Sequence, residues 1–326
     1  MIDDKNNQDD LNMDRSENSR NTITPTMSPI AAAVFGLIAV FFLYQVGSAI
    51  IILLIFGSDI SSIDNNSIRL LTTGSQILFI LLPALVFAKL VYEDVTEIIR
   101  FRLPGIKEIG VFLFGMIIII PLLQNYLYIQ NYFIERAAES SSFVHSVKSF
   151  FDQIDKWIEE AFGDLLLASN TAEAILIVIV IAVVPAVCEE VFFRGFIQRS
   201  FEFRLKPFWA VFLTAFFFGL YHFNPYGLIA LVFLGGYLGF AAYKTKSIFV
   251  PMILHFVNNF VAVMIYFIFE NDEFIDSSAV GIDTLDTYLI SFAVLLSIFM
   301  IFIYFVIKFY PVITRDKGGK YDMSKM

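Results

Sequence analysis

The chain has 326 residues, 58% of them hydrophobic, and a mean hydropathy of +0.73, more apolar surface than a soluble globular domain needs. Apolar runs of about twenty residues recur along it, so the sequence reads as an all-α polytopic membrane protein. A charge balance of 22 basic against 31 acidic residues, net −9, argues against a nucleic-acid partner, and a single cysteine leaves neither an intramolecular disulfide nor a metal–thiolate cluster.

Residues 1–29 are polar, with Asp3, Asp4, Asp9, Asp10, Asp14 and Glu17, and read as a disordered tail without the apolar centre of a cleavable signal peptide. A transmembrane bundle is expected over residues 30–310. Eight spans are predicted within it: Ile30–Gly57, Leu70–Val91, Ile109–Gln130, Thr171–Phe201, Pro207–His222, Tyr226–Tyr243, Ile248–Phe269 and Tyr288–Phe309. The fourth is too long for a simple span, and its part beyond Arg194 is expected to leave the hydrocarbon as an amphipathic extension. Residues 311–326 form a second polar tail, ending Met-Ser-Lys-Met, which is not a prenylation signal.

The connections alternate in charge. Arg100, Arg102 and Lys107 lie between spans two and three. Arg199, Arg204 and Lys206 lie between four and five, Lys244 and Lys246 between six and seven, and Arg315, Lys317, Lys320 and Lys325 in the last tail. Residues 135–173 and 270–286 are acidic. Placing every basic connection in the cytoplasm puts both termini there too, as expected of an integral, multi-pass protein of a prokaryotic plasma membrane. Between the third and fourth spans, Val147, Phe150, Phe151, Ile154, Trp157, Ile158, Phe162 and Leu165 recur at helical spacing. They predict an amphipathic helix on the outer membrane face, or a small cap on the bundle.

Three polar clusters interrupt the apolar runs, where ionisable groups usually mark a working site. The first is Cys188-Glu189-Glu190-Val191-Phe192-Phe193-Arg194, one turn after Pro185. That proline removes a backbone donor and crowds the carbonyl of Ile181, so a kink is expected that opens space beside the glutamates. Adjacent helical residues point about 100° apart, so the two acids have different tasks. The i,i+4 spacing favours a Glu190–Arg194 pair that braces the helix. Glu189 is left without a local counter-charge and is the candidate base. A purely structural polar knot is the competing reading.

The second cluster is Phe218-Gly219-Leu220-Tyr221-His222, and the third is His255-Phe256-Val257-Asn258-Asn259. His255 shares a helix face with Asn259, and Asn258 is close to it, so spacing alone does not choose between the asparagines. An imidazole and a carboxamide on one face can stabilise an oxyanion, or simply join two helices. His145, in the acidic connection, is assigned no role. Gly235, Gly236 and Gly239 read as a close-packing face. Counted along the helices, His222 lies deeper than Glu189 or His255. A tilted fifth helix, or a membrane boundary beyond Pro207, would remove the mismatch.

In order, the clusters give Glu189 and Glu190 followed by Arg194, then Phe218 with His222, then His255 with Asn259. This set resembles the CPBP intramembrane proteases, the group of CAAX proteases and bacteriocin-processing proteins with eukaryotic members of the Ras-converting type. The likeness covers about residues 171–270. It implies an eight-helix endopeptidase whose cavity lies in the membrane and opens to the cytoplasm. Glu189 and His222 would activate a water, and His255 and Asn259 would hold the oxyanion, with Glu190, Arg194 and Phe218 in support. It also favours Asn259 over Asn258.

The expected substrates are membrane-associated, prenylated CAAX-type or leader peptides, reached from surrounding lipid. A metal-assisted version stands beside this one, because Glu189, His222 and His255 match the one-carboxylate, two-imidazole donor set of catalytic zinc, although no His-Glu-x-x-His run is present. Cys188, in apolar surroundings, reads as inert. The competing functions are a non-catalytic scaffold or immunity protein of the same fold, and a proton-coupled transporter. The transporter requires inverted repeats, which the sequence does not display.

Overall fold

The computed structural model describes residues 24–57, 63–269 and 282–314. The expected polar tails at 1–23 and 315–326, and most of the acidic stretch 270–286, lie outside the described residues. Ten helices are present among those described: α1 Pro29–Phe56, α2 Asn65–Tyr92, α3 Val95–Ile99, α4 Ile106–Ser140, α5 Ser142–Leu166, α6 Thr171–Glu202, α7 Pro207–Tyr221, α8 Leu228–Thr245, α9 Phe249–Phe269 and α10 Ile282–Ile313. Seven of them (α1, α2, α4, α6, α8, α9 and α10) are long and apolar enough to cross a membrane. The predicted fifth span is present as α7, with only 15 residues or about 22 Å.

Local sequence explains the helix ends. Asp64 caps α2 by accepting from the backbone N–H of Asn66 and Ser67, Asn170 caps α6 by accepting from Glu173, and prolines stand in the first turns of α1 and α7. α6 is the central helix. Phe192, Phe193, Phe196 and Ile197 are buried against α1, α2 and α7, while its N-terminal half packs on α9. The outer helices α1 and α10 expose Phe35, Phe42, Leu54, Ile290, Ile301 and Phe305, as lipid-facing helices do. The part of α6 beyond Arg194 differs from the expected amphipathic extension. Gln198, Ser200 and Phe201 are buried, because Gln198 donates to the Gly239 carbonyl and Ser200 to that of Phe196, while the Tyr92 hydroxyl donates to Ser200. Their polarity is spent inside the bundle.

Hydrogen bonds gather the basic connections at one end. Arg100 pairs with Glu202 and donates to the Ala242 carbonyl, Ile248 N–H donates to the Arg100 carbonyl, and the Ser247 hydroxyl donates to that of Arg102. Arg69 donates to the Leu165 carbonyl at the opposite end, where Tyr226 donates to Asp152 of α5. α5 is one amphipathic helix as predicted. Phe143, Phe150 and Trp157 remain exposed, and the side chains of Ile158 and Phe162 lie outside the description.

The close-packing face of α8 holds for Gly235 and Gly239 and not for Gly236. A Cβ at Gly235 would lie 3.0 Å from Phe218 and 3.3 Å from the Ala215 backbone, and one at Gly239 would lie 2.7 Å from Gln198. Gly236 has nothing within 4 Å. A Gly235→Val change is therefore expected to cost about 1–3 kcal/mol through overpacking. Gly236→Ala should be neutral or stabilise by up to about 1 kcal/mol. Thermal unfolding of the two detergent-solubilised variants separates these outcomes.

Candidate active site

α6 is not a regular α-helix where it carries the first cluster. Two π-helical turns, Ile179–Val183 and Val191–Ile197, flank the α-helical stretch Val184–Glu190. Such turns accommodate a break in the i→i+4 ladder and recur at functional sites. Pro185 is the break, since it cannot donate to the Ile181 carbonyl. The Nδ2 of Asn259 on α9 donates to that carbonyl instead, at 2.9 Å, and Asn258 Nδ2 donates to Asn259 Oδ1 at 3.1 Å. The kink is thus closed by a side chain from the third cluster, which ties the asparagine pair to α6 and leaves the second Nδ2 hydrogen of Asn259 for another acceptor.

Glu190 is fully buried and takes two partners on one oxygen. Arg194 Nη1 donates to Oε1 at 2.6 Å, and His255 Nδ1 lies 2.8 Å from it. Arg194, also fully buried, donates through Nη2 to the Gly235 carbonyl at 3.1 Å, and its guanidinium lies 4.4 Å over the Phe218 ring. Phe218 is the common contact of the clusters, since its ring centroid is 4.5 Å from His222 and 5.9 Å from His255. The expected Glu190–Arg194 brace is formed. The bond from Glu190 to His255 is an addition that α-helical spacing within α6 does not reveal, because the partner is 65 residues away.

Glu189 points elsewhere. Its side chain is 16% exposed, its Oε2 has no hydrogen-bond partner among the described residues, and His222 Nε2 stands 4.0 Å from that oxygen. His222 Nδ1 lies 2.7 Å from the Phe218 carbonyl. A carbonyl can only accept, so Nδ1 carries a proton, and Nε2 is the ring nitrogen that faces Glu189, with a free lone pair in the Nδ1–H tautomer. α7 stops here. His222 follows its last residue, and Phe223 is left-handed at φ 52°, which turns the chain away. The depth mismatch counted along the sequence is absent from the folded bundle.

The structure therefore brings Glu189 and His222 together, joins Glu190, Arg194 and His255, and places Phe218 between the two groups. Asn259 faces α6 one turn from His255. Among the described residues, no three His, Cys, Asp or Glu side chains stand close enough to hold an ion. Cys188 is buried and unbonded within the apolar cluster. An apolar groove of about 510 Å³ opens next to His222, lined by Leu37, Phe41, Tyr221 and Phe223, with Phe151 and Ile154 from α5.

Three contributors were not read from the sequence: the carbonyls of Ile181 and Gly235, and Asn258 as the group that orients Asn259. The first had a signal, a proline four residues later. The others depend on which helices adjoin.

Residues 171–261 match the family model described as Type II CAAX prenyl endopeptidase Rce1-like. A search of curated proteins and a search of solved structures each returned no match. The matched segment runs from the start of α6 into α9 and contains Glu189, Glu190, Arg194, Phe218, His222, His255 and Asn259.

Proposed function

Because residues 171–261 match the family model described as Type II CAAX prenyl endopeptidase Rce1-like, we propose that this protein hydrolyses peptide bonds of lipidated, membrane-associated substrates with a water held by Glu189 and His222. The observation that carries this reading is the pairing of two acceptors, the Glu189 carboxylate and the His222 Nε2 lone pair, 4.0 Å apart. A water about 2.8 Å from each subtends an angle near 90° there, close to its own H–O–H angle, so it donates to both and presents its oxygen as a nucleophile.

The reaction balances without a covalent intermediate. One proton of the water passes to Glu189 as the oxygen bonds to the scissile carbonyl carbon. The developing oxyanion accepts from Asn259 Nδ2 and from His255 Nε2, for which Glu190 is the counter-charge when the ring carries a second proton. The proton then moves to the leaving nitrogen and the carbon–nitrogen bond breaks, giving a carboxylate and a new amine. The apolar groove beside His222 supports the choice of substrate, since a prenyl chain lying there would bring its peptide to the site. The basic connections, cytoplasmic by the positive-inside rule, lie at the end of the bundle opposite α5, so the groove beside His222 opens at the outer end and not toward the cytoplasm as the resemblance implies.

The test is cleavage of paired peptides, identical except for a prenylated cysteine, by protein purified in neutral detergent. The prenylated peptide is expected to turn over at least about tenfold faster, because the lipid-chain contacts are lost without it. Equal turnover removes the lipid-chain assignment, and no cleavage of either peptide removes the proteolytic reading. Activity should survive chelation. Loss with a chelator and recovery with zinc would replace the water-only chemistry with a metal-assisted one.

A further inference from the structure

At the basic end, well away from the groove, the connections border a second, open cavity of about 460 Å³ lined by Arg100, Arg102, Arg199 and Lys246, with Glu97, Thr96 and Phe101. We propose that this cavity binds the phosphodiester headgroup of an anionic phospholipid.

Its charge is not internally settled. Glu202 is shared by Arg100 and Arg199, and Glu108 accepts from Arg102, Tyr310 and the Gly105 N–H. Glu97 stands at the rim, and Lys246 makes no ion pair among the described residues. Four cations thus meet three carboxylates, an excess of one that a singly charged phosphodiester neutralises. Arg199 Nε is buried without a hydrogen-bond partner. Arg100 is brought down to about 10, by burial first and by Arg199 as well, against the opposing pull of Glu202. Lys246 is lowered by desolvation first and then by Arg100, while Glu202 acts against the shift. An anion would relieve the positive field on both.

The backbone points the same way. Arg100 and Lys246 both end helices in the left-handed region, at φ 60° and 52°, where glycine is the ordinary choice. A lipid, rather than a free ion, is favoured by what surrounds the cavity. Phe101, Leu103 and Ile106 are 65%, 79% and 85% exposed, an apolar rim beside a basic cavity at the end of a membrane bundle. Basic pockets of this kind between transmembrane helices hold lipid headgroups.

Protein in neutral detergent would be titrated with short-chain phosphatidylglycerol, phosphatidylcholine of the same chain length, and inorganic phosphate at matched ionic strength, following the thermal midpoint. Phosphatidylglycerol should raise the midpoint, and the other two should not. Lys246→Gln should weaken the apparent affinity about fivefold, and Lys246→Glu more than twentyfold. Arg102→Gln, at a half-exposed side chain, gives an independent second variant. Equal shifts with both lipids, the full shift with phosphate alone, or unchanged affinity in all three variants would overturn the proposal.

Discussion

Replacing Glu189 by glutamine should lower turnover by about 10²–10⁴-fold, the range expected when a general base is removed. The fold should be unaffected. Glutamine is isosteric, Glu189 Oε2 bonds no protein group among the described residues, and the neighbouring Glu190–Arg194 pair is already neutral. Single-turnover cleavage of a prenylated peptide, measured with the thermal midpoint, distinguishes this from a structural defect. A variant that cleaves at more than a tenth of the wild-type rate would refute Glu189 as the base. A variant that is inactive because it unfolds would return the carboxylate to a structural role.

Glu190→Gln is expected to behave in the opposite way, with a loss of stability first. Arg194 and Glu190 are both fully buried, so the change strands a guanidinium with only the Gly235 carbonyl and the Phe218 ring. Breaking a buried pair from one side costs about 3–5 kcal/mol. That is large enough to lower the midpoint of a protein this size by roughly 10 °C. The double variant Glu190→Leu, Arg194→Leu removes both charges and should recover much of that loss, since a buried ion pair replaced by apolar side chains is often close to neutral. It should nonetheless stay inactive, because His255 Nδ1 has lost its acceptor. A double variant as unstable as the single one would mean that Glu190 supports the fold mainly through His255.

The helices and the polar clusters were legible in the sequence because a hydrocarbon-length run is a strong local signal and a charge inside it stands out. The Glu190–Arg194 pair followed from i,i+4 spacing alone. What was not legible depends on neighbours distant in sequence. No periodicity in α6 reveals that the Ile181 carbonyl, freed by Pro185, is met by Asn259, or that Glu190 holds His255. The C-terminal part of α6 was misread as an amphipathic extension for the same reason. Gln198 and Ser200 look solvent-bound until the Gly239 carbonyl and Tyr92 are seen beside them. Spacing placed Gly235 and Gly239 on one face of α8, but only the packed structure shows that they let their carbonyls approach α6.

The shortness of α7 has a consequence for the surrounding bilayer. At about 22 Å it falls some 8 Å short of the hydrocarbon thickness that its neighbours match. Lipids along that flank must compress to meet it, and headgroups and water are drawn inward at the helix end that carries His222. On the proposed reading, hydrophobic mismatch at one flank would thus supply the water for hydrolysis, wetting the site while leaving the remaining perimeter sealed. Bilayer thickness then becomes a variable of the reaction.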